Sequence, residues 1–147
     1  MTTVTTEATI ARPIEAVFDY VTTPRHWLVW HPSSLDVSGT TERSLLVGDE
    51  VSETFRVAGR KGRVVWRTVL RDAPIRFAIA GRVAGGGDGT ITYTFTPAGD
   101  TTAFRREFVY AMPNAFAVLL DRLFVRRRIE AESAEAVRRL KRALETQ

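Results

Sequence analysis

Strand-like alternation fills the chain as far as Pro113, and only then does one long helical pattern begin, running almost to Gln147. That order is restrictive. A sheet built from the earlier segments has one apolar face, and a single terminal helix laid along it buries that face, which makes an α+β domain with the helix as its cover. The core-facing stripe of the helix, followed back from Leu144, Leu140, Val137 and Ala134, reaches Glu130, Arg126 or Arg127, then Leu123, Leu119 or Leu120, and Phe116. Its ends are apolar and its middle is small or charged, so the expected packing leaves a hollow between helix and sheet.

Thr2 to Ala11 reads as a first strand that stops at Arg12-Pro13. Proline opens a helix without loss, because its missing N–H would be unpaired there, and Ile14, Val17, Phe18 and Val21 then recur at helical spacing. A second short helical stretch from Pro24 carries Trp27 and Trp30 and ends at His31-Pro32. Six strands follow between Gly, Pro and Asp turns: Leu35 to Thr41, Glu50 to Ala58, Arg63 to Arg71, Ile75 to Val83, Thr90 to Pro97 and Thr101 to Tyr110. Gly59 to Gly62 is the expected tip of one hairpin. Gly85 to Gly89 lies between strands with no helix after it to receive an anion, so it is a flexible turn and not a phosphate loop.

Period-two alternation separates the faces. The inner one collects Leu35, Val37, Val51, Glu53, Phe55, Val57, Val64, Trp66, Thr68 and Leu70, then Ile75, Phe77, Ile79, Ile91, Tyr93, Phe95, Phe104, Arg106, Phe108 and Tyr110. Opposite lie Ser52, Thr54, Arg56, Arg63, Arg67, Thr92, Thr94, Arg105 and Glu107, which suit water.

Composition narrows the function classes. With 147 residues, 44% hydrophobic and 26% charged, the chain reads as one globular domain over 1–147. The absence of cysteine removes disulfides, thiolate nucleophiles and Cys-ligated metals, and is compatible with a reducing cytoplasm. Met1 to Thr9 is Thr-rich without the basic start or apolar stretch of a signal peptide, and no apolar run is long enough to cross a bilayer, so a cytoplasmic location without integral membrane association is expected. The net charge is +4, and the Arg126–Arg128 and Arg138–Arg142 tracts alternate with Glu130, Glu132, Glu135 and Glu145. Pairing along one helix accounts for them; with no interleaved aromatics, nucleic acid is not expected as a partner. The polar outer face argues mildly against a large apolar dimer surface and leaves monomer and homodimer open.

The stretches Ile10 to Val21, Trp27 to Pro32, Val47-Gly48-Asp49 and Thr90 to Pro97, taken together, resemble the START-like helix-grip superfamily, and within it the polyketide cyclase/dehydrase-like (SRPBCC) branch. The likeness spans essentially the whole chain. It implies a curved antiparallel sheet of about seven strands wrapped around a long C-terminal helix, with two short helices after strand 1. It also implies a container for an apolar ligand, with members that cyclise polyketides, carry lipids or have no assigned chemistry.

A charged residue on an inner face is costly to bury unpaired, which singles out Glu53 and Arg106. In phase with Phe55, Phe104 and Phe108, they are candidates for a polar spot in an apolar pocket, meeting each other or Arg126 and Glu130; the alternative is an ion pair that holds helix to sheet. His31 is a candidate for acid/base work, since histidine titrates near neutrality without help, although Pro32 can make it a turn residue. His26 lies too near it in sequence for a metal pair, so neither metal nor cofactor is expected. Trp27, Trp30, Phe55, Trp66, Phe77, Tyr93, Phe108, Tyr110, Phe116, Leu120 and Phe124 are the candidate pocket lining, each with core packing as its alternative. No Ser/His/Asp constellation is legible. Three functions follow for comparison: binding of a small hydrophobic molecule, aromatic, polyketide-like or lipid-like; a cyclase or dehydratase using the same cavity; and a protein-interaction module.

Overall fold

The computed structural model describes Met1 to Gln147. Strand β1 (Thr2–Ile10) leads into helix α1 (Ile14–Thr22), a 3₁₀ turn (Pro24–His26) and helix α2 (Trp27–Trp30). Six strands follow: β2 (Ser34–Gly39), β3 (Glu50–Val57), β4 (Arg60–Asp72), β5 (Arg76–Val83), β6 (Asp88–Ala98) and β7 (Thr101–Ala111). Helix α3 (Ala115–Leu120), a π-helical turn (Asp121–Val125) and helix α4 (Arg126–Glu145) then run on as one continuous rod. The seven strands form one antiparallel sheet in the order β1-β7-β6-β5-β4-β3-β2. This is the helix-grip arrangement.

Local chemistry explains most boundaries. Pro13 takes the N-cap of α1, whose Ile14, Val17, Phe18 and Val21 are buried. The indole N–H of Trp27 donates to the carbonyl of Val21 at 2.9 Å, tying α2 back onto α1. The β3–β4 hairpin turns on Ala58 and Gly59, at φ 52° and 78°, because two left-handed residues match the twist of the flanking strands. Val57 therefore already pairs with Arg60, and β4 begins earlier than the expected tip at Gly59 to Gly62 allows.

Three residues expected on the inner face are turned out. Register shifts between Ser34 and Asp36 and between Thr68 and Leu70 are bulges, which spend an extra residue and re-aim the side chain. Leu35 and Leu70 are exposed as a result, and Ile75 is exposed in the turn before β5.

The core and the hollow divide the space beneath the helix. Ala136, Val137, Leu140 and Leu144 pack the C-terminal half of α4 into a cluster with Ile10, Val17, Phe18, Phe77, Phe95 and Phe104. That end is anchored: Arg12 Nη1 donates to the carbonyl of Leu144 at 3.0 Å, and Lys141 Nζ to the carbonyl of Thr9 at 2.5 Å. Helix α3, by contrast, buries none of its residues.

The phase of the rod differs from the expected stripe. Its inner row is Ala117, Asp121, Val125, Ile129, Ser133 and Val137, a run at spacing four; Ile129, Ser133 and Val137 are buried within it, as is Asp121. A straight α-helix drifts off such a row, and the wider π turn at Asp121–Val125 takes up part of the drift. Asp121 fixes the turn by accepting from Tyr110 Oη at 2.6 Å and Thr2 Oγ1 at 2.9 Å. Burial, and then the bond to Asp121, push the Tyr110 hydroxyl far above its ordinary pKa. Asp121→Ala orphans both hydroxyls and is expected to cost about 1–3 kcal/mol, read as a lowered urea midpoint at unchanged slope.

Candidate functional site

A cavity of about 450 Å³ lies between the sheet and the N-terminal part of the rod, within the range of small-molecule sites. Trp27, Trp30, Phe55, Trp66, Tyr93, Phe108, Tyr110 and Leu120 line it, with His31, Glu53 and Arg106 among them. The space exists because rings lie flat on the sheet. Phe55 pairs across strands with Gly62 and Trp66 with Gly81. A Cβ on Gly62 would run into the Phe55 ring, and one on Gly81 would sit 2.5 Å from the Trp66 ring. Gly89 leaves the same room for Phe108, whose ring would be 2.8 Å from an added Cβ. Any larger residue at these positions drives an aromatic ring into the hollow.

Arg106 forms the polar centre. It is only 2% exposed, and no carboxylate lies within ion-pairing distance of it. Its Nη1 donates to Ser133 Oγ at 3.0 Å and its Nη2 lies 3.2 Å from His31 Nε2. The Phe108 ring sits 5.5 Å from the guanidinium carbon, and Nε has no partner. Glu53 accepts from Trp66 Nε1 at 3.0 Å. Ser33, between α2 and β2, donates to Glu132 Oε2 of α4 at 2.5 Å and pins the rod over the site.

The environment fixes the protonation of these groups. His31 is half-buried and faces the cavity. Burial, then the positive charges of Arg106 and Arg139, hold its pKa down to about 3, so the ring is neutral near pH 7. The backbone N–H of Ser33 also approaches its Nδ1, at 3.3 Å. A neutral imidazole has one acceptor nitrogen, and the shorter, charge-assisted contact from Arg106 is the one that claims it. Glu53 shifts the other way: burial pushes its carboxyl up, and the Trp66 N–H and the Arg106 charge offset this only in part. Burial likewise raises Tyr93, with Arg106 opposing; the two residues face each other across β6 and β7.

The sign of the His31 shift makes a prediction. Its folded pKa lies below its unfolded one, so between about pH 6.5 and 3 the unfolded chain binds the extra proton. Stability then falls as pH falls, by about 1.4 kcal/mol per unit for this one group. In a proton NMR titration from pH 8 to 5 the His31 ring resonances are expected to stay flat. An inflection near 6.5 would show that burial and the Arg106 and Arg139 charges do not hold the ring neutral. Near neutrality this environment favours the neutral imidazole over the imidazolium.

Three candidate lining residues stand elsewhere. Phe77 is fully buried beneath α1, edge-on to Phe18 and 6.2 Å from it. Phe116 and Phe124 are 69% and 65% exposed, because the π turn rotates Ala117, Asp121 and Val125 inward in their place. Arg126 and Glu130 do not reach Arg106 either; they pair with each other on the surface at 3.0 Å.

The model of the family described as polyketide cyclase / dehydrase and lipid transport matches residues 1–145. The chain belongs to that family. Solved structures with the same fold include TTHA0849 from Thermus thermophilus, with TM-score 0.80 and 15% identity over 99% of this chain and 98% of that one. Ms6760 from Mycobacterium smegmatis aligns with TM-score 0.71 and 22% identity over 99% and 91%. DynU16, a putative protein in the dynemicin biosynthetic locus, aligns at TM-score 0.66 and 18% identity, covering 98% of this chain and 47% of that one. No curated protein matches the sequence. At these identities the neighbours establish the fold.

Within this family member, several residues that shape the site carry no chemical signal in the sequence. Gly62 and Gly89 look like turn residues, Gly81 like a gap in a strand, and Ser133 like helix surface. Only the cross-strand register and the phase of the rod reveal what they do.

Proposed function

We propose that the protein binds a small, largely apolar molecule in the cavity under the helical rod, with a polar oxygen of the ligand directed to Arg106. The observation that carries this reading is a buried guanidinium without a carboxylate partner, set in a ring-lined space of about 450 Å³. A structural ion would be expected to come with its counter-ion, because an unpaired buried charge is expensive. A binding site keeps that place open for the ligand. The family's description, polyketide cyclase / dehydrase and lipid transport, supports the same ligand class.

The test is displacement of an anilinonaphthalene sulfonate dye by apolar aromatic compounds. A blue-shifted emission that competitors remove is the expected result; no dye binding would end the proposal.

A second reading is a cyclase or dehydratase in the same cavity. Glu53 favours it, since burial biases this carboxyl toward its protonated form, and a carboxylic acid near a guanidinium can donate a proton while the cation polarises a carbonyl. Its folded pKa lies above its unfolded one, so the penalty of ionising it grows as pH rises. Glu53→Gln is therefore expected to stabilise the protein at pH 8 relative to pH 4. In an enzyme it would also abolish turnover with ligand binding intact.

A further inference from the structure

The residues that the π turn expels from the cavity form a feature of their own. Phe116, Val118, Leu119, Leu123 and Phe124 are all exposed, five large apolar side chains within nine positions. Isolated exposed leucines are ordinary, but a contiguous apolar ridge marks a surface that meets something. The ridge stands at the rim of the cavity, since Ala117, Leu120 and Val125 of the same turns line it.

Charge narrows the partner. Arg122, Arg127 and Arg128 are exposed and lack any carboxylate within ion-pairing distance, while the acids nearby are engaged: Asp121 by Tyr110 and Thr2, Glu130 by Arg126, and Glu132 by Ser33. Across the mouth, Arg60 and Lys61 of the β3–β4 hairpin are exposed and also unpaired, with Asp88 the exposed acid on that rim.

We infer that this ridge docks the protein on the surface of an anionic phospholipid bilayer. Phe116, Leu119, Leu123 and Phe124 enter the headgroup–acyl boundary, and Arg122, Arg127, Arg128, Arg60 and Lys61 face the lipid phosphates. The combination of an apolar helix face with flanking arginines is what an interfacial helix requires, and each cation near such a surface strengthens the attraction to anionic lipid. The protein lies on the bilayer and does not span it; no helix is long and apolar enough to cross. A second copy of the chain fits less well. A two-fold contact on this ridge would set one arginine cluster against its twin, and like charges across an interface are unfavourable. Docking in this orientation points the mouth of the cavity at the lipid.

Co-sedimentation with large unilamellar vesicles tests the proposal. The wild-type protein is expected to pellet with vesicles of 70% phosphatidylcholine and 30% phosphatidylglycerol, and to do so about tenfold less with pure phosphatidylcholine or in 0.5 M salt. Phe116→Asp/Phe124→Asp and Arg122→Gln/Arg127→Gln/Arg128→Gln are each expected to lower binding by about tenfold or more. Both should keep the cavity's dye affinity, which shows that they are folded and that docking does not depend on the ligand reading. Equal binding to both vesicle types, no binding to either, or a wild-type dimer that the Asp variant splits into monomers would each overturn the inference.

Discussion

Arg106→Met is expected to leave the protein folded, and to raise its unfolding free energy by as much as about 1–4 kcal/mol, while weakening the binding of ligands that present an acidic or carbonyl oxygen. The two effects have one origin. The guanidinium is desolvated, lacks a carboxylate partner and leaves its Nε unpaired. Replacing such a charge by an apolar side chain of similar length removes a desolvation cost that the bonds to Ser133 and His31 and the Phe108 ring repay only in part. The bound ligand loses a charge-assisted hydrogen bond of about 1.5–3 kcal/mol, a fall in affinity of roughly 10- to 150-fold. Urea unfolding and dye-displacement titrations on the same samples separate the effects. Loss of about 3–5 kcal/mol on substitution would instead mark Arg106 as a structural ion whose partners depend on it.

Leu140→Ala is expected to cost about 2–5 kcal/mol, and Phe124→Ala less than about 0.5 kcal/mol. Both are large apolar residues of one helical rod: Leu140 lies on the core-facing stripe read from the sequence, and Phe124 is among the candidate lining residues, so the sequence directs both inward. Leu140 is fully buried among Ile10, Phe95 and Phe104, in the anchored half of α4, so its truncation leaves a cavity that close packing cannot heal. Phe124 projects from the far side of the π turn, and its removal uncovers nothing. Urea midpoints for the two variants thus report the phase of the rod. A large loss at Phe124 would return it to the cavity wall and remove the exposed ridge.

The contrast shows where sequence carries structural information. Alternation within a strand is local, so Val51, Val64, Ile79, Ile91 and Phe104 could be assigned to the buried face from their neighbours alone. So could Glu53 and Arg106, the pair that distinguishes this cavity from a core. Leu35 and Leu70 escaped because a bulge is a property of two paired strands, and neither strand announces it. The rod escaped for a different reason. Phe116, Leu119, Leu123 and Phe124 make a better apolar stripe than Ala117, Asp121 and Val125, yet Tyr110 and Thr2 pull Asp121 inward from other elements. Periodicity ranks faces by hydrophobicity and does not register a buried carboxylate. The electrostatics of His31 were also out of reach, since the charges that hold it neutral come from β7 and α4.

All three tryptophans, Trp27, Trp30 and Trp66, line the cavity, which supplies the most direct measurement. Titration of anilinonaphthalene sulfonate while following energy transfer from tryptophan should quench the indole emission to a plateau at one equivalent. In Gly81→Val, whose added side chain displaces the Trp66 ring into the hollow, that quenching should be lost while the circular dichroism stays that of the wild type. Quenching that survives Gly81→Val, or dye that binds without saturating tryptophan transfer, would place the dye on the surface and contradict a ligand cavity beneath the helix.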